Sequence, residues 1–350
     1  RLHTVAADEY TLPLPTNVPA GEFPNGAGGI DPFRSYSEMF TGETTNVTNP
    51  ELIWGTTDNL NDQQDVIFPL KLGGNGSISI PQRIIDAYRM ADGRDIHEAS
   101  AEYPYEDRPY DQTCVTTAAQ QLSKNYTLPG GTYKAYANRE PRFYASILYN
   151  GATWIDRTLE LYVGGKDNYM DFSITGQDNV HKTTTGYIFR KFMDNSGKVN
   201  FTNILSGTYW TEMRLAEIYL IRSEAYARQN QFGPAYEDLK TIRDRVGLPA
   251  LTQEGNWQDY LQDLAKERIC ELGLEGHRYF DLIRWGIAVE TLNNKRLHGV
   301  KITKTGDSFS YERVECDTQD RLFPEKYTIF PIPYTELQNN TLCEQNEIWK

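Results

Sequence analysis

Residues 267–286 read ERICELGLEGHRYFDLIRWG, the densest alternation of charge and bulky apolar groups in the chain. Leu272, Phe280, Leu282, Ile283 and Trp285 call for burial, and Arg268, Glu271, Glu275, Arg278, Asp281 and Arg284 lie between them. On helical spacing Arg268 precedes Glu271 by three residues and Arg278 precedes Asp281 by three, so each pair can meet on one face. His277 lies beside these charges, and imidazole titrates near neutral pH. One reading is an acid–base site built from His277, Glu275 and Asp281. The other is a helix pair whose charges lace the ends of a packed core. The second is preferred, because salt-laced helix faces are far commoner than catalytic clusters.

The sequence upstream is helical too. TEMRLAEIYLIRSEAYARQ (211–229) carries two apolar stripes, Leu215, Ile218, Tyr219, Tyr226 and Met213, Ala216, Leu220, Ala227. Two stripes require neighbours on two sides, as in stacked helix pairs. GPAYEDLKTIRDRVGLP (233–249) follows, with Pro234 at the first helical position, Gly247 past the end, and Ala235, Leu239, Ile242 and Val246 as its face. Together the two approach the ~34-residue tetratricopeptide unit. A third helix starts at Asn256 with Asp259 as capping partner, burying Trp257, Leu261, Leu264 and Leu272, and a fourth is expected over 277–292. One and a half units make a poor groove for a protein partner.

The front is less regular. Residues 1–80 are loop-rich, and prolines and glycines break any periodicity before Phe33. FRSYSEMF (33–40) reads as a short helix, ELIWG (51–55) as a short buried strand with Trp54 in the core, and PQRIIDAYRMADGRD (81–95) as a helix. DNLNDQQD (58–65) offers oxygen ligands without EF-hand spacing, and GGNGSISI (73–80) lacks a P-loop lysine, so neither supports a metal or phosphate site. In HEASAEYPYEDRPYD (97–111), no periodicity explains Tyr103, Tyr105 and Tyr110, which enclose Asp107 and Arg108. Loops carry function more often than core elements. NREPRFYASILYNGATW (138–154) has a strand-like centre, with Trp154 after the Asn150–Gly151 turn either capping the core or facing a groove. TTTGYIFRKF (183–192) reads as a strand whose Arg190 and Lys191 serve an anion or, preferably, pair within the scaffold. KITKTGDSFSYERVE (301–315) has hairpin character, and two prolines confine YTIFPIPYTELQNN (327–340) to an extended edge or loop.

Several of these stretches resemble signatures of the SusD/RagB family of bacterial outer-membrane nutrient-binding lipoproteins. The closest resemblance is the E-R-x-x-E-L helix leading into E-G-x-R-x-x-D-L-x-R-W-G, matched by Glu267, Arg268, Glu271, Leu272, Glu275, Gly276, Arg278, Asp281, Leu282, Arg284, Trp285 and Gly286. Others are the proline-led helix ending in D-G, the R-D-P-R-F segment with Glu140 at the acidic position, T-G-Y-x-x-R-K-F, and P-I-P-x-x-E-L near the end. The resemblance implies a mainly α fold with irregular loops, short strands and tetratricopeptide-like helix pairs. It also implies a non-catalytic surface receptor, lipid-anchored in the outer membrane, that hands glycan, or peptide in some members, to a SusC-like TonB-dependent transporter. The family's N-terminal lipidated cysteine and additional helices have no counterpart in the sequence, whose abrupt start at Arg1 suggests truncation. Three regions are expected: a loop-rich ligand-binding part (1–208), a helical scaffold (209–292) and an irregular segment packed on it (293–350).

Bulk properties agree. The chain has 350 residues, a net charge of −13 and a mean hydropathy of −0.61. Such an acidic chain is a poor partner for nucleic acid or anionic lipid. No apolar run reaches the ~18 residues of a membrane span. Tyrosine is over-used, 23 against 14 Phe and 6 Trp, and suits surfaces with a flat apolar face and a polar edge. Cys114, Cys270, Cys316 and Cys343 lack metal or redox spacing. Cys270 is expected as a buried thiol, and Cys316–Cys343 as the more plausible bridge in an oxidising compartment. Sequons at Asn46, Asn75, Asn125 and Asn200 are incidental in a bacterial host.

No HExxH or G-x-S-x-G motif occurs, and the histidines (3, 97, 181, 277, 298) are scattered. Glycoside hydrolysis needs only a carboxylate pair ~5–9.5 Å apart, so a hydrolase stays a minor alternative, beside a helical protein-interaction scaffold. The preferred reading is a cofactor-free, metal-free glycan binder. Tyr103, Tyr105, Tyr110 and Trp154 would stack on sugar faces, with Asp107 and Arg108 bonding the hydroxyls.

Overall fold

The computed structural model describes residues 1–18, 29–56, 78–107, 115–116, 118–124, 126–154, 157–167, 183–193, 195 and 209–350. The 58–65 acidic loop, most of the 73–80 glycine run, Cys114 and the sequons at Asn75, Asn125 and Asn200 lie outside them. In chain order the helices are α1 (Pro32–Ser37), α2 (Gln82–Ala87), α3 (Pro141–Ser146), α4 (Leu215–Arg228), α5 (Phe232–Arg245), α6 (Trp257–Leu272), α7 (His277–Arg284), α8 (Ala288–Leu292) and α9 (Tyr334–Asn339). Among the described residues ten short strands pair two by two and antiparallel. The ribbons are β1 (Leu52–Thr56) with β8 (Trp210–Arg214), β2 (Gln120–Ser123) with β3 (Tyr126–Leu128), β4 (Ile147–Leu148) with β7 (Ile188–Phe189), β5 (Thr153–Trp154) with β6 (Arg157–Thr158), and β9 (His298–Thr305) with β10 (Ser308–Glu315).

The fold is therefore mainly helical with small ribbons. Helices α4, α5 and α6 stack around Leu220, Leu239, Ile242, Tyr260 and Leu264, all fully buried. The Ser223 hydroxyl donates to the Ala235 carbonyl at 2.6 Å and meets the Tyr260 hydroxyl at the same distance, which locks the three helices together. Asn256 caps α6 as its sequence indicates, accepting from the Asp259 amide at 3.0 Å. In α5, Pro234 stands third rather than first, still inside the turn whose amides have no helical partner.

Five local expectations are corrected. Helix 277–292 breaks at Gly286 (φ 75°), where the Ile287 amide reaches back to the Leu282 carbonyl at 3.0 Å; a left-handed glycine after the last turn stops an α-helix in this way. The centre of 138–154 is helix α3, begun by Pro141 at its first position, and only Ile147–Leu148 form a strand. Residues 211–214 form β8 rather than the first turn of a helix. Trp54 is 64% exposed, because its strand belongs to a two-stranded ribbon with one face outward. The prolines of 327–340 are followed by the short helix α9, which the expectation of an extended edge or loop did not contain.

The larger core draws on the whole chain. Tyr36, Tyr88, Phe143, Leu148, Tyr187 and Ile302 pack in one apolar cluster, joined by Val246 and Cys270 from the helical stack. The β9–β10 hairpin docks on it through Gly299, where a Cβ would come within 2.5 Å of the Thr185 Cα. That close approach lets the Val300 amide donate to the Thr185 carbonyl at 2.9 Å.

Candidate functional site

The three glutamates of 267–286 are spent inside the protein. Glu51, Glu140, Glu267, Glu271 and Glu275 meet Arg142, Lys191, Arg214, Arg243 and Arg245, and every one of these ten side chains is almost wholly buried. Five acids against five bases leave no net charge. Burial alone raises the Glu271 carboxyl, but Arg245, Arg214 and Arg142 outweigh it and hold that group far below its ordinary range. Burial takes the Lys191 ammonium down to about 8, with Glu275 opposing the shift.

Neither expected i,i+3 pair forms. Arg268 reaches forward to Asp281 at 2.6 Å instead of to Glu271, and Asp281 takes Arg284 at 2.9 Å instead of Arg278. His277 Nδ1 lies 3.6 Å from Glu217, and burial lowers its pKa. Glu275 and Asp281 are thus committed to cations, and the three groups do not form an acid–base unit. Arg190 is buried over the rings of Tyr126 and Phe33, at 4.8 and 5.0 Å. Among the described residues no group of three or more His, Cys, Asp or Glu could hold a metal ion. Cys270 is buried as expected, and burial pushes its thiol up. Cys316 and Cys343 are free, which corrects the expected bridge: one is buried behind the hairpin, the other sits in the half-exposed end segment.

The tyrosine loop comes apart in space. Tyr105 and Asp107 line a shallow depression of about 50 Å³ whose other walls are Tyr133, Tyr187, Tyr311 and Arg313. Tyr105 is half-buried; loss of water around its phenol pushes its pKa to about 12. Arg139 lies 5.6 Å from its ring centre and is itself pinned by donating to the carbonyls of Ala135, Ile85 and Tyr88. Tyr311 stacks on Tyr133 with centroids 3.9 Å apart and planes 3° from parallel. Tyr103 faces a separate apolar crevice, with Leu14, Phe33 and Val246. Trp154 is 1% exposed inside the larger core, so its indole is a packing group and offers no face to a ligand. Arg108 and Tyr110 lie outside the described residues.

Sequence reasoning missed Tyr133, Tyr187, Tyr311 and Arg313, which are distant in the chain. One signal was available: Tyr311 and Arg313 are two apart on β10, so strand alternation puts them on one face.

A family model, that of the SusD family, matches residues 50–349. The chain belongs to the SusD family. The starch-binding protein SusD of Bacteroides thetaiotaomicron is 32% identical over 137 residues, which cover 39% of this chain and 21% of that protein. SusD-like protein P25 of Formosa agariphila is 26% identical over 188 residues, 52% of this chain and 30% of the relative. The matches thus span less than a third of these relatives' own length. A SusD-like protein from Bacteroides fragilis superposes with a TM-score of 0.66 at 25% identity, covering 90% of this chain and 57% of the other. A SusD-like carbohydrate binding protein from the same species superposes at 0.58 and 21% identity, over 87% and 56%, and agrees in fold. The helical stack with small ribbons is the SusD fold. Among the described residues no helix is long and apolar enough to cross a membrane.

Proposed function

We propose that this SusD-family chain binds glycan without turning it over, at the depression bounded by Tyr105, Asp107, Tyr311 and Arg313. The observation that carries this reading is a group of tyrosines from four distant stretches gathered around one opening, with a carboxylate and a guanidinium at its edge. The half-buried Tyr105 ring offers an apolar face to a pyranose ring at little cost in conformational freedom, the buried Tyr133, Tyr187 and Tyr311 form the packed floor beneath it, and Asp107 and Arg313 can bond hydroxyls. The depression is shallow, so it touches one or two sugar units, and other contacts come from elsewhere on the surface. The starch-binding relative supports the ligand class. On the same family grounds, we place the protein on the outer membrane, lipid-anchored in its full-length form and delivering ligand to a SusC-like TonB-dependent transporter. Tyr103, Arg108 and Tyr110 are proposed as further ligand contacts on the composition of their loop alone.

Affinity electrophoresis against neutral and acidic plant, fungal and mucin polysaccharides tests this, with product analysis of the same mixtures. Retardation by a polysaccharide, lost in Tyr105→Ala and without new reducing ends, is the expected result. New reducing ends overturn the non-catalytic reading, and retardation unchanged in Tyr105→Ala overturns the site.

A further inference from the structure

Beside the tyrosine depression lies a second cavity of about 200 Å³, between α2, the end of α8 and the β9–β10 hairpin. Its charged lining is wholly basic: Arg83, Lys295, Arg296, His298, Arg313 and Arg321, with no carboxylate among the lining side chains. On a chain of net charge −13, such a concentration needs a reason. The two cavities share Arg313, so a ligand lying across the tyrosines runs into the basic one.

Four of the six bases are not equivalent to the other two. Arg321 holds Asp317 through two bonds at 2.8 and 3.1 Å, and Arg296 holds Glu315 and Asp320 at 2.8 and 2.6 Å. Arg313 lies 3.3 Å from Asp86, and His298 carries no ion pair but is half-buried on β9. Arg83 and Lys295 are exposed, line the cavity, and have no carboxylate within ion-pair distance among the described residues. Lost hydration and the nearby Arg321 push the Arg83 pKa down, and burial, with Arg83 adding to it, lowers that of Arg278 on α7. Arg278 has a buried Nη1 without a hydrogen-bond partner. Positive charge on this face is thus under-neutralised from α2 to α7, which is the condition an anion relieves.

We infer that this cavity binds the carboxylate or sulfate ester of an acidic sugar, so that the glycan of the proposed function is a uronate-bearing or sulfated one. The inference rests on the glycan-binding reading for its ligand, and on the geometry alone for its charge. Planar guanidinium groups pair with either oxyanion through two parallel bonds. Anionic lipid offers the same charge on a flat surface, and the vesicle arm of the test separates it from an acidic glycan.

The test uses the full chain and the Arg83→Gln/Lys295→Gln double variant. Neither side chain makes an ion pair, so the variant keeps the fold, which circular dichroism checks. Probes are polygalacturonate, dextran sulfate, unmodified dextran, phosphatidylserine vesicles and the monosaccharides glucuronate and glucose. The expected result is preferential retention of one charged polymer over dextran, weakened about tenfold in the double variant and by a rise from roughly 0.05 to 0.5 M salt. Preference for polygalacturonate identifies the carboxylate and preference for dextran sulfate the sulfate ester. Dextran retained as well as the charged polymers, or charged-polymer binding unchanged in the double variant, overturns the inference while leaving glycan binding intact. Binding to vesicles but to no polymer overturns it in favour of lipid. Glucuronate binding lost in the double variant, with no polysaccharide retained, leaves the anion site standing and removes the glycan reading.

Discussion

The Nη1 of Arg214 donates to Oε1 of Glu271 at 2.7 Å, with both side chains shut away from solvent. Arg214 closes β8 and Glu271 stands near the end of α6, so the contact ties the β1–β8 ribbon to the helical stack. Through Arg142 at 3.1 Å the same carboxylate reaches α3. One glutamate therefore joins three separate parts of the fold. Removing its charge leaves arginines buried and under-compensated. Glu271→Gln should lower unfolding stability by about 3–5 kcal/mol, the usual loss when one partner of a buried pair is removed. Urea denaturation measures it, with exposed Arg313→Ala as a control changing stability by at most about 0.5 kcal/mol.

Acid should act through the same groups. Burial raises the carboxyls of Glu267, Glu271 and Glu275, but the neighbouring cations outweigh it and leave all three below the ordinary 4.5. A carboxylate depressed on folding contributes stability that is full above its unfolded pKa and is lost as pH falls through the folded one. Stability should therefore show little dependence on these groups above pH 4.5 and decline below it. Urea midpoints taken between neutral pH and strong acid check the slope, which should be shallower in Glu271→Gln.

The two aromatic candidates should separate. Trp154→Ala opens a cavity in the larger core and should cost about 3–5 kcal/mol. Tyr105→Ala removes a half-buried ring at the edge of the tyrosine depression, so it should weaken ligand retention with a much smaller effect on the melting temperature. Reversed results would place the site around Trp154.

Thiol chemistry gives a further check. Of the three described cysteines Cys343 is half-exposed and should react first with a thiol reagent in the native protein. Burial takes the Cys316 thiol up to about 11 and slows it, and Cys270 should react only on unfolding. A melting temperature unchanged by reductant agrees with this state, and a reductant-sensitive one would restore the Cys316–Cys343 bridge.

The helical stack was legible because its signals are local: the Asn256 cap, Pro234, Gly247, and apolar residues recurring at helical spacing. The same locality misled at Phe143–Tyr149, where aromatic and β-branched residues suggest a strand while Pro141 and the surrounding core impose a helical turn first. Which charge meets which could not be read from spacing. Glu271 finds partners 57 and 129 residues away in sequence, and no helical period encodes that. The site divides likewise. Tyr105 and Asp107 stood out as a loop unexplained by periodicity, whereas Tyr133, Tyr187 and Tyr311 become its neighbours only when the hairpin docks at Gly299.

The balanced set of buried charges also constrains the order in which the protein can form. Arg142 and Lys191 leave the ribosome long before Glu267, Glu271 and Glu275 exist to complete their pairings, and Glu51 waits in the same way for Arg214 and Arg245. Until α6 has been synthesised, these side chains have every reason to stay in water. The full set of pairings therefore closes only once the last helix of the stack is present, which makes its formation a late, long-range event.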